Sequence, residues 1–160
     1  MSSMTIDWPR IALDTNILAY AEGLALTVAD DPKVARAQDI LAVIPERYTV
    51  VPVQVLGELY NVLTRKKRTS ADGAVAAIET WRRTSIGVDT TADLIAAAIA
   101  LAGQHRLVIW DAVILSAAAE ARCDYLLSED MQDGFVWRGV MIVNPFGANV
   151  PGSLDRLLAA

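Results

Sequence analysis

Short apolar runs punctuated by turn residues alternate along the chain with longer stretches in which apolar side chains recur every three or four positions. The first run, Arg10 to Leu13, ends at Asp14, and the second, Tyr48 to Val51, is β-branched and aromatic and bounded by Arg47 and Pro52. Ser85 to Val88, Tyr125 to Leu127 and Val140 to Val143 repeat the pattern, so five strands are expected. Helix start signals lie between most of them. Pro32 opens a helix towards Ile44, Pro52 takes the first position of one running to Lys66, and Ser70 and Thr91 stand as N-caps. Asp111 opens a helix over Ala112 to Ala121, Asn144-Pro145 ends the last strand, and Ser153 to Leu158 forms a short terminal helix. Strands alternating with helices predict an α/β fold, a central mostly parallel β-sheet flanked by α-helices. No repeat, low-complexity tract or linker interrupts the pattern, so residues 1–160 read as a single domain.

Composition narrows the function classes. With 54% hydrophobic and 21% charged residues the chain is a globule and not a disordered tail. The longest apolar stretch, Leu94 to Gly103, is about half the roughly 20 residues of a membrane span and is closed off by Asp93 and Arg106. Met1 to Arg10 carries Asp7 and lacks the apolar run of a signal peptide, which gives the expectation of a cytoplasmic protein without a membrane partner. Cys123 is the only cysteine, which excludes an internal disulfide, and His105 is the only histidine. The usual three or four nitrogen and sulfur ligands of a zinc site therefore cannot be supplied, and any metal must be held by oxygen. The net charge of −5 speaks against a protein that coats nucleic acid through a broad positive field.

Four acids occupy positions that suit such oxygen chemistry. Asp14 stops the first strand in Leu13-Asp14-Thr15-Asn16-Ile17, at the carboxyl edge where α/β sheets bind ligands, although an N-cap explains it equally well. Glu58 borders the apolar face formed by Val55, Leu56, Leu59, Val62 and Leu63, where a glutamate is ordinarily solvated. Asp111 projects on the side of Ile114, Leu115 and Ala118, and the competing account is a cap with Trp110 and Leu115 as a hydrophobic staple. Asp130 lies just past Tyr125 to Leu127, as Asp14 lies past the first strand; beside it, Glu129 reads as surface charge, and Asp133 fits that reading too. Each position is weak alone. Two strand ends and two helix positions aiming acids at one crevice form a stronger set, because such carboxylates need divalent cations or raised pKa values.

These segments resemble the PIN-domain nucleases, and within them the VapC toxins of bacterial toxin and antitoxin pairs. The resemblance rests on Ala12-Leu13-Asp14-Thr15-Asn16-Ile17-Leu18, Val55-Leu56-Gly57-Glu58-Leu59, Trp110-Asp111-Ala112-Val113-Ile114 and Leu127-Ser128-Glu129-Asp130-Met131-Gln132-Asp133-Gly134. It implies an acidic catalytic site of Asp14, Glu58, Asp111 and Asp130, with Asn16, Ser128 and Asp133 as supporting groups. It also implies a homodimer and a small antitoxin protein whose tail blocks the acidic groove.

On that basis the expected activity is endoribonuclease hydrolysis of RNA, with Mg²⁺ or Mn²⁺ on Asp14, Asp111 and Asp130 and with Glu58 orienting the second metal or the attacking water. Arg65-Lys66-Lys67-Arg68 and Arg82-Arg83 are two compact basic patches that could touch the RNA backbone, or simply complement helix C-termini. His105, at another helix end, reads as a surface residue. Two other readings stay open: a haloacid-dehalogenase-like phosphatase with Asp14 as nucleophile, and a non-catalytic PIN-like module that binds RNA or protein. The phosphatases place a second aspartate where this chain has Asn16.

Overall fold

A computed structural model describes residues 7–25, 27–65 and 68–159. Strand β1 (Ile11–Leu13) is central, paired with a strand on either side, and its three side chains are wholly buried, as expected of an inner strand of a sheet covered by helices on its faces. In chain order the elements continue with α1 (Thr15–Ala21), α2 (Asp31–Val43), β2 (Thr49–Pro52), α3 (Val53–Thr64), α4 (Ala71–Thr84) and β3 (Ile86–Val88). The second half comprises α5 (Ala92–His105), α6 (Ile109–Glu120), β4 (Tyr125–Leu127), β5 (Val136–Trp137), β6 (Val140–Val143) and α7 (Gly152–Leu158). The sheet order is β3-β2-β1-β4-β6-β5, parallel except where β5 runs antiparallel to β6. The mostly parallel sheet expected from the alternating pattern is thus present.

This order fixes where a ligand can bind. The chain steps from β1 outward through β2 to β3, then returns to place β4 against the other side of β1. Between β1 and β4 the connections diverge, leaving a crevice at the carboxyl edge, the switch point of an open α/β sheet. Register puts the two strand ends side by side: Leu13 pairs with Leu127, and the Asp14 amide donates to the Leu127 carbonyl at 3.0 Å.

Helix boundaries follow capping chemistry where a polar cap is present. Ser70 and Thr91 accept from the amides of Gly73 and Leu94, each at 3.1 Å, as N-caps of α4 and α5. Pro32 lies in the first turn of α2, whereas Pro52 closes β2 and is the N-cap residue of α3. Helix α6 departs from expectation: its N-cap is Val108, so it begins two residues before Asp111. The apolar triplet Val108-Ile109-Trp110 carries no polar start signal, and the turn forms because α6 is buried continuously from Ala112 to Ala118 between the sheet and α5. Strand β5 was not expected either. Two residues show no periodicity, and the hairpin depends on the Arg138-Gly139 turn, with φ of 46° and 83°, left-handed values that a tight turn to β6 requires. No single helix among the described residues is long and apolar enough to cross a membrane.

Candidate active site

Asp14 sits at the junction of β1 and α1, where extended backbone (φ −82°, ψ 164°) turns its carboxylate back over the first amides of the helix. Oδ1 accepts from the Thr15 amide at 2.7 Å, and Oδ2 accepts from Ser128 Oγ at 2.8 Å. Ser128, fully buried just past β4, in turn accepts from the Met131 amide at 3.2 Å. The capping and site readings of Asp14 are therefore compatible, since each carboxylate oxygen has lone pairs to spare.

Glu58 is not simply solvated. Its Oε2 accepts from Thr15 Oγ1 at 2.6 Å and its Oε1 from Gln54 Nε2, one helical turn earlier on α3, at 2.7 Å. Asp130 Oδ2 accepts from Asn16 Nδ2 at 2.7 Å. Asp111, in the first turn of α6 and half-buried, accepts no hydrogen bond among the described residues. It stands three residues past the N-cap, so it does not cap the helix, and Trp110, 50% exposed, forms no staple.

Asp14, Glu58, Asp111 and Asp130 all line one pocket of about 270 Å³, together with Thr15, Asn16, Asn61, Val62 and Arg65. Arg65 is the one cationic side chain among these lining residues. Burial, with added repulsion from Asp111 and Glu58, lifts the Asp14 carboxyl from 3.8 to about 6 against the opposing bonds from Ser128 and Thr15. Burial and the charges of Glu58 and Asp130 likewise push Asp111 upward. The pocket thus holds more negative charge than its surroundings neutralise.

No three Asp, Glu, His or Cys side chains among the described residues form a group able to enclose a metal ion as they stand. The donors are nonetheless all oxygen, and neutral amide and hydroxyl groups hold three of the four carboxylates at the pocket wall. An open acidic pocket suits a hard divalent cation such as Mg²⁺, which binds one or two carboxylates and keeps much of its water.

Other residues named from the sequence lie elsewhere. Asp133 does not reach the pocket: it accepts from the Asn144 amide at 2.9 Å and from Asn149 Nδ2 at 3.4 Å, tying its loop to the segment after β6. Arg68 donates to the Ala25 carbonyl at 3.0 Å, and Lys66 and Lys67 fall outside the described residues. Arg82 pairs with Glu79 at 3.1 Å, and Arg82 and Arg83 end α4 just before β3 begins, at the amino edge of the sheet and away from the pocket. His105 is exposed, as expected, with its ring 5.3 Å from that of Phe135. Glu129, read as surface charge, is instead held by Tyr20 Oη at 2.7 Å and by Lys33. Thr15, Gln54 and Asn61 join the site without a chemical signal of their own in the sequence, save that a Thr beside a strand-end acid marks the first.

The PIN domain family model matches residues 11–132, from the first residue of β1 to the loop beyond Asp130. The chain belongs to the PIN domain family. Among solved structures, this PIN domain is similar to Mycobacterium tuberculosis VapC20, described as a Sarcin-Ricin loop cleaving toxin, with TM-score 0.61, 23% identity and coverage of 75% of this chain and 89% of that one. A toxin-antitoxin complex from Klebsiella pneumoniae matches with TM-score 0.63 and 21% identity over 85% of this chain and 98% of its own. VapBC2 from Rickettsia felis, bound to a DNA fragment from their promoter, matches with TM-score 0.54 and 17% identity over 82% and 96%. A comparison with curated protein sequences returned no match. At these identities the likeness to solved structures concerns the fold. The phosphatase reading loses support at Asn16, whose amide donates to Asp130 and leaves no acid two residues after Asp14.

Proposed function

We propose that this PIN domain, acting as the single domain of residues 1–160, is a divalent-metal-dependent endoribonuclease and the toxin of a toxin-antitoxin pair. The observation that carries the reading is the convergence of Asp14, Glu58, Asp111 and Asp130 on one pocket at the β1–β4 switch point. A Sarcin-Ricin loop cleaving toxin and a toxin-antitoxin complex among its structural relatives support the substrate class and the biological setting. The same reading includes a homodimer and a small antitoxin protein that covers the acidic pocket.

In this mechanism Asp14, Asp111 and Asp130 would hold Mg²⁺ or Mn²⁺. Such an ion, when bound, supplies Lewis acidity towards the scissile phosphate and eases deprotonation of water. Glu58, fixed by Thr15 and Gln54, orients the water for in-line attack and accepts its proton. Asn16 and Ser128 keep Asp130 and Asp14 in place by donating to them. Arg65, at the wall of the pocket, meets an RNA phosphate that the acids alone would repel. The products carry 5′-phosphate and 3′-hydroxyl ends.

Two measurements test this. Purified protein should cleave single-stranded RNA with Mg²⁺ or Mn²⁺ and not in EDTA; equal cleavage in both would sink the metal mechanism. Arg65→Gln should weaken RNA binding and flatten the dependence of log K on log salt by roughly 0.7, the contribution of one phosphate contact on a single strand. An unchanged slope would remove Arg65 from the RNA interface.

A further inference from the structure

Asn16 and Tyr20 lie one turn apart on α1 and so share a face of the helix. They grip consecutive residues of the loop after β4: Asn16 donates to Asp130 at 2.7 Å and Tyr20 Oη donates to Glu129 at 2.7 Å. The second grip is reinforced from α2. Lys33 pairs with the other Glu129 oxygen and with Asp30 Oδ1 at 2.9 Å, and Asp30 is held in turn by the amide and hydroxyl of Thr27. Tyr20 is 1% exposed, with its ring edge-on to Phe146 at 5.5 Å, so its hydroxyl is a fixed point and not a mobile surface donor. Glu129 does not line the acidic pocket, whereas its neighbour Asp130 does and is itself exposed. An exposed aspartate on a loop is held in one place only if the backbone that carries it is held.

We infer that Glu129 is a positioning residue, whose grip on Tyr20 and Lys33 holds Asp130 at the pocket wall for a divalent cation. The inference rests on the metal-dependent reading above and assigns work to residues that reading leaves unused. Glu129 touches neither metal nor RNA in this scheme. It converts the packing of α1 and α2 into the placement of Asp130, as outer-shell partners do for metal ligands.

The test uses the full chain with Tyr20→Phe, Lys33→Met, Glu129→Ala and Glu129→Gln. Mn²⁺ affinity is read without RNA from the paramagnetic resonance signal of the free ion, beside thermal unfolding and RNA cleavage over a range of Mn²⁺. Tyr20→Phe and Lys33→Met should weaken Mn²⁺ binding roughly tenfold, with cleavage recovered at high Mn²⁺ and KM for RNA unchanged. Glu129→Gln, which keeps an acceptor for Tyr20, should fall between the parent and Glu129→Ala. Should Glu129→Ala fail to fold, Tyr20→Phe, which keeps the buried ring, and Lys33→Met, on a partly exposed side chain, carry the test. Lower melting temperatures with parental Mn²⁺ affinity would overturn the inference, leaving the network as stability alone. Failure of the parent to bind Mn²⁺, or equal binding by Asp14→Asn, would instead overturn the metal reading and this inference with it.

Discussion

Asp14→Asn is expected to reduce RNA cleavage by roughly 10³-fold or more, equivalent to about 4 kcal/mol of transition-state stabilisation, while leaving a folded protein. The asparagine keeps an acceptor for the Thr15 amide, so the turn from β1 into α1 retains that bond, while its NH₂ faces Ser128 Oγ and can no longer accept from it. What disappears is the negative charge that would draw a cation into the pocket. The same substitution removes a carboxylate buried beside Asp111 and Glu58, so the metal-free variant should melt higher than the parent at neutral pH. Leaving the buried Ser128 hydroxyl without its acceptor offsets part of that gain, and a net of about 1 kcal/mol corresponds to roughly 2 to 4 °C for a chain of this size. Gel assays of RNA cleavage and thermal unfolding without metal check both halves. An active Asp14→Asn variant would remove Asp14 from the site.

The second large effect is a loss of stability of the metal-free protein as pH rises from about 4 to about 6. Burial holds the Asp14 carboxyl at about 6 in the fold, against 3.8 for an unperturbed aspartate. The folded state therefore binds more protons than the unfolded state between these values. Its contribution is fully present below 3.8 and is lost as pH rises through about 6, a change of about 3 kcal/mol at 1.36 kcal/mol per unit. Asp111, also shifted upward, acts in the same direction. Asp30 acts in the opposite direction, because its bond from Lys33 holds it below the usual range; its contribution is lost only as pH falls below about 4. Saturating Mn²⁺ should restore stability above pH 6, since the ion binds the ionised carboxylates, by about 2.7 kcal/mol at 100 times the dissociation constant. Asp14→Asn should flatten both the pH profile and the response to metal. A parent whose melting temperature is level from pH 4 to 7 would contradict the buried, repelled carboxylate.

The strand and helix pattern was legible because it depends on local composition. Tyr125 to Leu127 and Val140 to Val143 are apolar runs in any context, and Ser70 and Thr91 cap helices through amides only three residues away. Asp14 and Asp130 could be placed at the carboxyl edge for the same reason, each following directly on a readable strand. Local signals fail where an element borrows its stability from elsewhere. Helix α6 starts at Ile109 without a polar cap because its burial carries it, and β5 exists only as the partner of β6.

The meeting of the acids was decided by tertiary structure. Thr15 and Glu58, 43 residues apart, touch only because α1 packs on α3, and Asp14 and Ser128, 114 residues apart, touch because β1 pairs with β4. Glu129 shows the converse. On the sequence it is a charge without a visible partner, and in the fold it closes a bridge between α1 and α2. By itself the sequence determined which residue types were available, an oxygen-only donor set on an α/β frame. The folded chain decided which of them share a pocket, because charge and hydrogen bonding act over a few ångströms of space and not along the chain.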